Sequence, residues 1–512
     1  MYMNTKKDIG GTISNGGSQN SFVIGGFLES EATAEVSLPD KHEDFSEWYG
    51  EILQRANLVD IRYGLKGFIV YRPNIMYIIK RIYETYEVEL EATKHKPVLF
   101  PVVIPYTAFK KEADHIKGFQ EEVFWVSKAG GHELEEPGIL RPTSETAMYP
   151  IYSLWVRSYK DLPLKVYQSC AVYRYETKAT KPLIRGREFL WIEAHTLHRD
   201  EKGAMGQVTE DMEIAKKVLY EHLGLPFILV QREDFDKFYG AVSSFAFDVL
   251  LPDLRVLQVA TTHYLGTKFS VPFEVRYLDE DGQSKYPHTT CYGPGISRIA
   301  AAAISVHGDG FGAVLPFDGA PVQIVIIPIP KEGFQDRIFM MCRDLEKLFR
   351  SRGFRAQFDD SDARPGEKFY RWELLGTPVR IEVGPRDLEE NVVTVFRRDT
   401  RTRATVKESE LADHVDRLRQ DILLNLRKNG EAFLKDNMHV AMTKQKLMEI
   451  AKKGGIAKIR FCGRKECADE MKAETEGFEV RGMDVESHEK AEGPCTWCGF
   501  PAVHVAFAAR AY

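Results

Sequence analysis

From Asp44 onward the hydrophobic and polar positions sort into helices and strands. Phe45-Ser46-Glu47-Trp48-Tyr49 opens a helix. After Arg72-Pro73, apolar residues at Ile75, Ile78, Ile79, Ile82 and Tyr86 keep helical spacing, with Pro73 in the first turn. Residues 98–105 form an apolar run read as a strand interrupted by Pro101. Residues 173–176 and 189–195 alternate with period two and predict two strands joined by a loop of mixed charge. Arg174 and Glu176 then share a face, as do Phe189, Trp191, Glu193 and His195. Short elements follow, including 249–257 and 269–277. Residues 289–304 predict a glycine-rich turn entering an alanine-rich helix, with Gly293 and Gly295 free to approach a ligand closely.

The pattern changes at 316–321. Apolar strands at 322–329, 354–358, 379–384 and 392–396 then alternate with helices at 334–352 and 366–376. This predicts an α/β unit with a mostly parallel sheet. A third unit begins near Gly430 with an amphipathic helix over 442–453 and ends in a cysteine cluster. Residues 1–38, rich in Gly, Ser and Asn, read as a flexible tail, with a short strand possible at 21–24.

Composition sets bounds without deciding function. A chain of 512 residues, 44% hydrophobic and 28% charged, suits a multidomain globular protein. The net charge of −6 gives no global nucleic-acid signature, although RNA binding needs only a local basic surface. No long apolar run and no apolar signal core is present, so a cytoplasmic location is the default expectation. Of the seven cysteines, Cys170, Cys291 and Cys342 are scattered. The other four form two close pairs, Cys462-x4-Cys467 and Cys495-x2-Cys498, which suit one tetrahedral structural Zn²⁺ site. His488 and His504 are spare ligand candidates.

The two-stranded floor carries candidate chemistry. Arginine forks onto phosphate or carboxylate, phenylalanine offers a surface to a base, and glutamate can meet an ammonium. Each residue also has a plain alternative. Arg-x-Glu is commonly a surface ion pair, Trp191 with His195 suits ordinary core, and Thr143-Ser144-Glu145 suits a helix start.

Taken together, the segments 173–176 and 185–191 resemble motif 2 of the class II aminoacyl-tRNA synthetases. The Arg185-Gly186-Arg187-Glu188-Phe189-Leu190-Trp191 stretch is close to the form in prolyl-tRNA synthetases of the archaeal and eukaryotic-like type. The helix and strand over 73–105 resemble motif 1, 289–304 resembles motif 3, and Arg141-Pro142-Thr143-Ser144-Glu145 resembles the Thr-x-Glu loop. The resemblance spans about 44–512. At motif 3 many relatives carry Trp-Gly where this chain has Tyr292-Gly293-Pro294-Gly295, which leaves the contacts of Ile296 and Ser297 open.

The resemblance implies an α+β multidomain fold. Its parts are a catalytic antiparallel sheet flanked by helices (39–316), an α/β anticodon-binding domain (317–425) and a small zinc-binding domain (426–512). It implies ATP-dependent ligation of L-proline to tRNA(Pro) by a homodimer, with Mg²⁺ accompanying ATP. Thr143 and Glu145 would bind the proline amine, Arg174 would bridge the proline carboxylate and the α-phosphate, and Trp191, His195 and His263 would wall the ring. Glu193 would orient His195. ATP would meet Glu176, Arg185, Phe189, Gln258, Thr261, Ser297 and Arg298, with Phe189 and Arg298 on opposite faces of adenine. Lys368, Arg380, Glu382 and Arg386 would read the anticodon, and Arg397 and Arg398 would meet phosphates. Tyr512 would bring its carboxylate toward the active site. Between motifs 2 and 3 there is no inserted domain, so internal editing is not expected. A threonyl or glycyl enzyme is the nearest competitor. The threonyl case calls for a Cys/His metal set beside the floor, which is not expected here. A non-catalytic tRNA-binding paralogue is the other alternative, and the presence of both Arg174 and Arg298 argues against it.

Overall fold

The structure, a computed structural model, describes residues 37–111, 122–485 and 489–512. Residues 1–36, including the strand expected at 21–24, and His488 lie outside the described residues. Leu38, placed at the end of the tail from sequence, is buried and donates its N–H to the Gly310 carbonyl at 2.7 Å.

The first helices follow the apolar spacing. Helix α1 (Phe45–Arg55) is capped by the Asp44 side chain. Helix α2 (Pro73–Ala92) buries Ile75, Ile78, Ile79, Ile82 and Tyr86. The strand expected over 98–105 is instead divided. Strand β1 (Lys96–Pro97) and β2 (Val103–Pro105) belong to different sheets. Pro101 has no N–H to give a ladder, and side chains take over the nearby backbone. Gln168 Oε1 accepts the Phe100 N–H at 3.0 Å, and Arg141 donates to the Phe100 carbonyl at 2.9 Å.

Strands β3 (Phe124–Ala129) and β4 (His132–Leu140) complete a three-stranded sheet with β2. Helix α3 (Glu145–Trp155) follows. The floor strands are β5 (Leu164–Tyr173) and β6 (Glu188–His198), and helix α4 spans Glu201–Lys216. Then come β7 (Ile228–Gln231), β8 (Ser243–Leu250), β9 (Val256–Gly266), β10 (His288–Pro294) and α5 (Ile296–His307). Residues 249–257 therefore span two strand ends and the turn between them at 251–255, and 289–294 form a strand before the helix. Residues 269–277 are mostly turn.

The next unit carries β11 (Ile324–Pro328), α6 (Gln335–Ser351), β12 (Ala356–Phe358), α7 (Pro365–Leu374), β13 (Val379–Val383), β14 (Val392–Arg397) and β15 (Thr402–Lys407). Its sheet order is β12-β11-β13-β14-β15. The first three strands are parallel and the last two antiparallel, so the sheet is mixed and not mostly parallel.

Helix α8 (Leu411–Asp436) leads to β16 (Met438–Ala441), α9 (Lys444–Lys453), β17 (Ile456–Phe461), α10 (Lys465–Glu474), β18 (Phe478–Asp484) and β19 (His504–Arg510). These last strands continue the sheet that holds the floor strands. One 11-stranded sheet runs β16-β17-β19-β18-β7-β8-β9-β10-β6-β5-β1. The join is β18 on β7, with Met483 opposite Gln231.

Candidate active site

The floor is an antiparallel pair in which Cys170 faces Trp191 and Tyr173 faces Glu188. The strand stops at Tyr173, although the Arg174 N–H still donates to Arg187 O at 2.9 Å. Beyond this the chain turns, so Glu176 does not share a strand face with Arg174. On β6 the alternation holds: Phe189 and Trp191 face a cavity of about 230 Å³. Thr143, Glu145, Arg174, Gln258, Thr261, His263 and Arg298 face the same space.

Arg174 donates from Nε to the Pro142 carbonyl at 3.0 Å. Its guanidinium lies 5.3 Å from the Phe189 ring centroid and 5.0 Å from that of Trp191. Burial pulls its pKa below the ordinary value, against the raising influence of Glu122, Glu193 and Glu145. Arg298, in the first turn of α5, donates to the carbonyls of Ile184 at 2.9 Å and Gln258 at 3.1 Å. Burial, then the nearby Arg174 and Arg185, lowers its pKa to about 10, which leaves it a cation at neutral pH.

Two carboxylates converge on Thr143. Its single O–H is shared between Glu145 and, at 3.0 Å, Glu193. Glu193 also accepts the Ser144 N–H at 3.0 Å, the Ser144 hydroxyl and the Gln168 amide at 3.0 Å. The polar contacts of Glu193 are therefore with the Thr-x-Glu segment and with Gln168 and Cys170 of β5, and the expected orientation of His195 by Glu193 is corrected.

His195 is fully buried behind the wall, its Nε2 3.9 Å from Cys291 Sγ, and Cys291 lines the cavity in its place. Glu145, His195 and Cys291 offer ligand atoms all within 4.8 Å of one another. This overturns the expectation of no Cys/His set beside the floor. Burial, then Glu145 and Glu193, pushes the pKa of the Cys291 thiol well above the ordinary value.

His263 sits on β9. Its Nδ1 lies 2.8 Å from Ser244 Oγ and its Nε2 3.1 Å from Thr261 Oγ1. Phe238 packs on the ring at 4.8 Å. Burial lowers its pKa to about 4, so the imidazole is neutral at pH 7.

Phe189 also lines a second cavity of about 420 Å³, and Arg185 and Ser297 open onto that one. Glu176 lines neither; it accepts the Lys178 N–H at 2.9 Å and lies 3.9 Å from Arg185. Arg232, Asp236, Lys237, Phe238, Ser244 and Cys291 line the first cavity and were missed from sequence. The one available signal was Ser244, a hydroxyl preceding the apolar Phe245-Ala246-Phe247 run.

Comparison with known proteins places this geometry. Residues 124–307 match the class II tRNA synthetase core domain (G, H, P, S and T), 323–418 the anticodon binding domain, and 445–512 the prolyl-tRNA synthetase C-terminal domain. The proline–tRNA ligase of Thermofilum pendens is 50% identical over 92% of this chain and 98% of its own length. That of Pyrococcus abyssi is 43% identical over 92% and 98%. The chain belongs to the prolyl-tRNA synthetase family. The solved Giardia lamblia prolyl-tRNA synthetase, in complex with prolyl-adenylate, superposes with a TM-score of 0.89 at 35% identity. It covers 93% of this chain and 100% of that one.

In this family member the four C-terminal cysteines come together from the end of β17, from α10 and from the loop before β19. Cys467 and Cys495 sulfurs lie 3.8 Å apart, and Cys462 and Cys498 3.6 Å. All four offer sulfurs within 4.8 Å of one another. A metal with about 2.3 Å bonds to four tetrahedral thiolates requires sulfurs about 3.8 Å apart, so the donor set fits a metal. His504 instead bonds Glu233 at 2.6 Å, which removes it as a ligand candidate.

The anticodon-reading candidates divide. Lys368, Arg380 and Glu382 are buried. Lys368 donates to the Asp359 carbonyl at 2.8 Å. Arg380 is held between Phe369 and Phe396, at 4.0 and 4.1 Å, and paired with Glu373 and Glu382. In this arrangement these three do not present free edges to a base. Arg386 is exposed. Arg397 pairs with Asp399, and Arg398 makes two bonds to Asp309, of 2.6 and 2.7 Å. Tyr512 donates its hydroxyl to Asp253 at 2.5 Å and receives Lys181 Nζ at 3.3 Å, which sets it against the loop between β5 and β6.

Proposed function

We propose that the chain is a proline–tRNA ligase acting in two steps. The convergence of Thr143, Glu145, Arg174 and Arg298 on one cavity carries this reading. Proline's carboxylate oxygen attacks the α-phosphorus of ATP; pyrophosphate leaves and prolyl-adenylate forms. A terminal ribose hydroxyl of tRNA(Pro) then attacks the adenylate carbonyl, and AMP leaves. No covalent enzyme intermediate is required, so alignment and charge stabilisation supply the catalysis.

Glu145 and Thr143 take the two N–H hydrogens of prolinium. Arg174 sits between carboxylate and α-phosphate, and Arg298 and Phe189 hold adenine. Gln258 and Thr261 meet ATP, and Trp191, Cys291 and neutral His263 wall the ring. Arg185 and Ser297 meet ATP from the adjoining cavity. Mg²⁺ enters with ATP. Arg386 is the exposed candidate for anticodon contact; Lys368, Arg380 and Glu382 would have to exchange internal partners first.

The cysteine cluster holds Zn²⁺ as a structural staple. The enzyme is a homodimer through the motif 1 segment, where Leu99, Val102 and Val103 are exposed. It is cytoplasmic; among the described residues no helix is long and apolar enough to cross a membrane. It lacks internal editing, and the small pocket admits alanine and cysteine, since a missing methylene discriminates by only about 1–3 kcal/mol.

ATP–pyrophosphate exchange with each of the twenty amino acids tests the reading. Exchange led by proline, with weaker alanine and cysteine signals, is expected. Exchange led by another amino acid would overturn the substrate, and none with any would overturn the activity.

A further inference from the structure

The C-terminal unit reaches the catalytic cavity through a buried chain of charges that the roles above do not use. Strand β18 comes so close to β7 that a Cβ on Gly482, at φ +134°, would lie 2.3 Å from the Gln231 carbonyl oxygen. The β18–β19 register shifts between Val480 and Gly482, the irregularity that holds Arg481. A shift of this kind re-aims a side chain. Arg481, 6% exposed, here donates at 2.7 Å to Asp248, which is fully buried on β8.

Asp248 lies 3.7 Å from Arg232, which also donates to the Arg481 carbonyl at 3.0 Å. Arg232 in turn donates from its other terminal nitrogen to Gln258 Oε1. The Gln258 main chain is separately fixed by Arg298. A guanidinium can only donate. With Oε1 held by Arg232, the Gln258 amide must turn its NH₂ the other way, as a donor.

We infer that Arg481 and Asp248 are positioning residues for ATP: through Arg232 they fix the Gln258 amide so that its NH₂ group is presented to an acceptor on the nucleotide. This rests on the ATP role proposed for Gln258. It makes the C-terminal unit part of nucleotide recognition, at a distance, by holding one amide in one of its two orientations. Without Arg481, Asp248 has a single cation, Arg232 is drawn toward the carboxylate, and Gln258 is released to flip.

The test compares Arg481→Gln, Arg481→Lys and Lys458→Ala by proline-dependent ATP–pyrophosphate exchange, with thermal melting alongside. Lys458 pairs with Asp484 and Glu489 near the surface of the same unit and serves as the control. R481Q is expected to raise KM for ATP about tenfold while KM for proline changes less than twofold. R481K should recover most of the loss, and K458A should match the parent. Equal changes in both KM values, or a lowered melting temperature with ATP kinetics intact, would reduce Arg481 to a structural role and overturn the inference. Failure of the parent protein to exchange with proline would instead overturn the proposed function.

Discussion

Glu193 accepts the backbone N–H of Ser144 at 3.0 Å, tying the centre of β6 to the first turn of α3. Ser144 is the N-cap of that helix, but its hydroxyl is spent on Glu193 and not on the helix's own N–H groups. Glu193 thus places Thr143 and Glu145 without facing the cavity itself. Charge-assisted hydrogen bonds of this kind contribute about 1.5–3 kcal/mol each. Glu193→Gln removes the charge and sets an amide NH₂ against donors. KM for proline should rise at least tenfold while KM for ATP stays within about threefold; titration of each substrate in the exchange reaction measures both. Equal effects on the two would show that Glu193 supports the whole fold and not the amine site.

Gly293 lies opposite Thr261 across the sheet and is crossed by the Trp191 indole. A Cβ there would sit 2.4 Å from Trp191 Cζ2, closer than any side chain tolerates. Because the neighbour is a rigid ring already stacked on Phe189 at 5.4 Å, it cannot yield locally. Gly293→Ala should displace both aromatics, lower kcat/KM for proline by about two orders of magnitude and alter tryptophan fluorescence. Unchanged fluorescence with lowered activity would place the defect elsewhere.

Much of this was legible in the chain because short-range rules govern it. The isoleucines of α2 declare their face by spacing, and the alternation of Phe189, Trp191 and Glu193 declares theirs. Residues 98–105 misled because Pro101 and side-chain partners of Phe100 outweigh a strand-like apolar run. Arg380 and Lys368 misled for another reason. A charged side chain in a strand or helix normally faces water, and only the packing of Phe369 and Phe396 around Arg380 buries it. Arg232, just after β7, and Cys291, on β10, reach the cavity from segments far apart in sequence, and no local pattern marks that meeting.

The cysteine cluster predicts a stoichiometry. One Zn²⁺ per chain should co-purify and be released only as the four C-terminal thiols are modified, with a chromogenic chelator and a thiol reagent read together. Cys467→Ser should lose most of the metal and several degrees of melting temperature, since a structural metal contributes directly to folding. Release of metal without loss of stability would remove the staple role.

Asp211 on α4 offers a pH signature. Its carboxylate accepts from Gln207 at 2.8 Å and from the Thr262 hydroxyl at 2.8 Å, directly behind the cavity-lining Thr261 and His263. Burial raises its pKa from 3.8 to about 7, with both hydrogen bonds pulling the other way. The folded state therefore prefers the protonated acid. Its contribution to stability is fully present below about pH 4 and is lost as pH rises through 7. His95, His198, His263 and His307, all lowered to about 4 by burial, act in the opposite sense below pH 6.5 and are neutral in both states well above it. Those histidines are shared by variant and parent, so the difference between the two proteins isolates the Asp211 effect. Asp211→Asn, uncharged throughout, should match the parent in melting temperature near pH 4 and exceed it by a margin that grows up to about pH 7 and stays constant above it. A gap of the same size at every pH would mean that Asp211 acts by packing and not by titration.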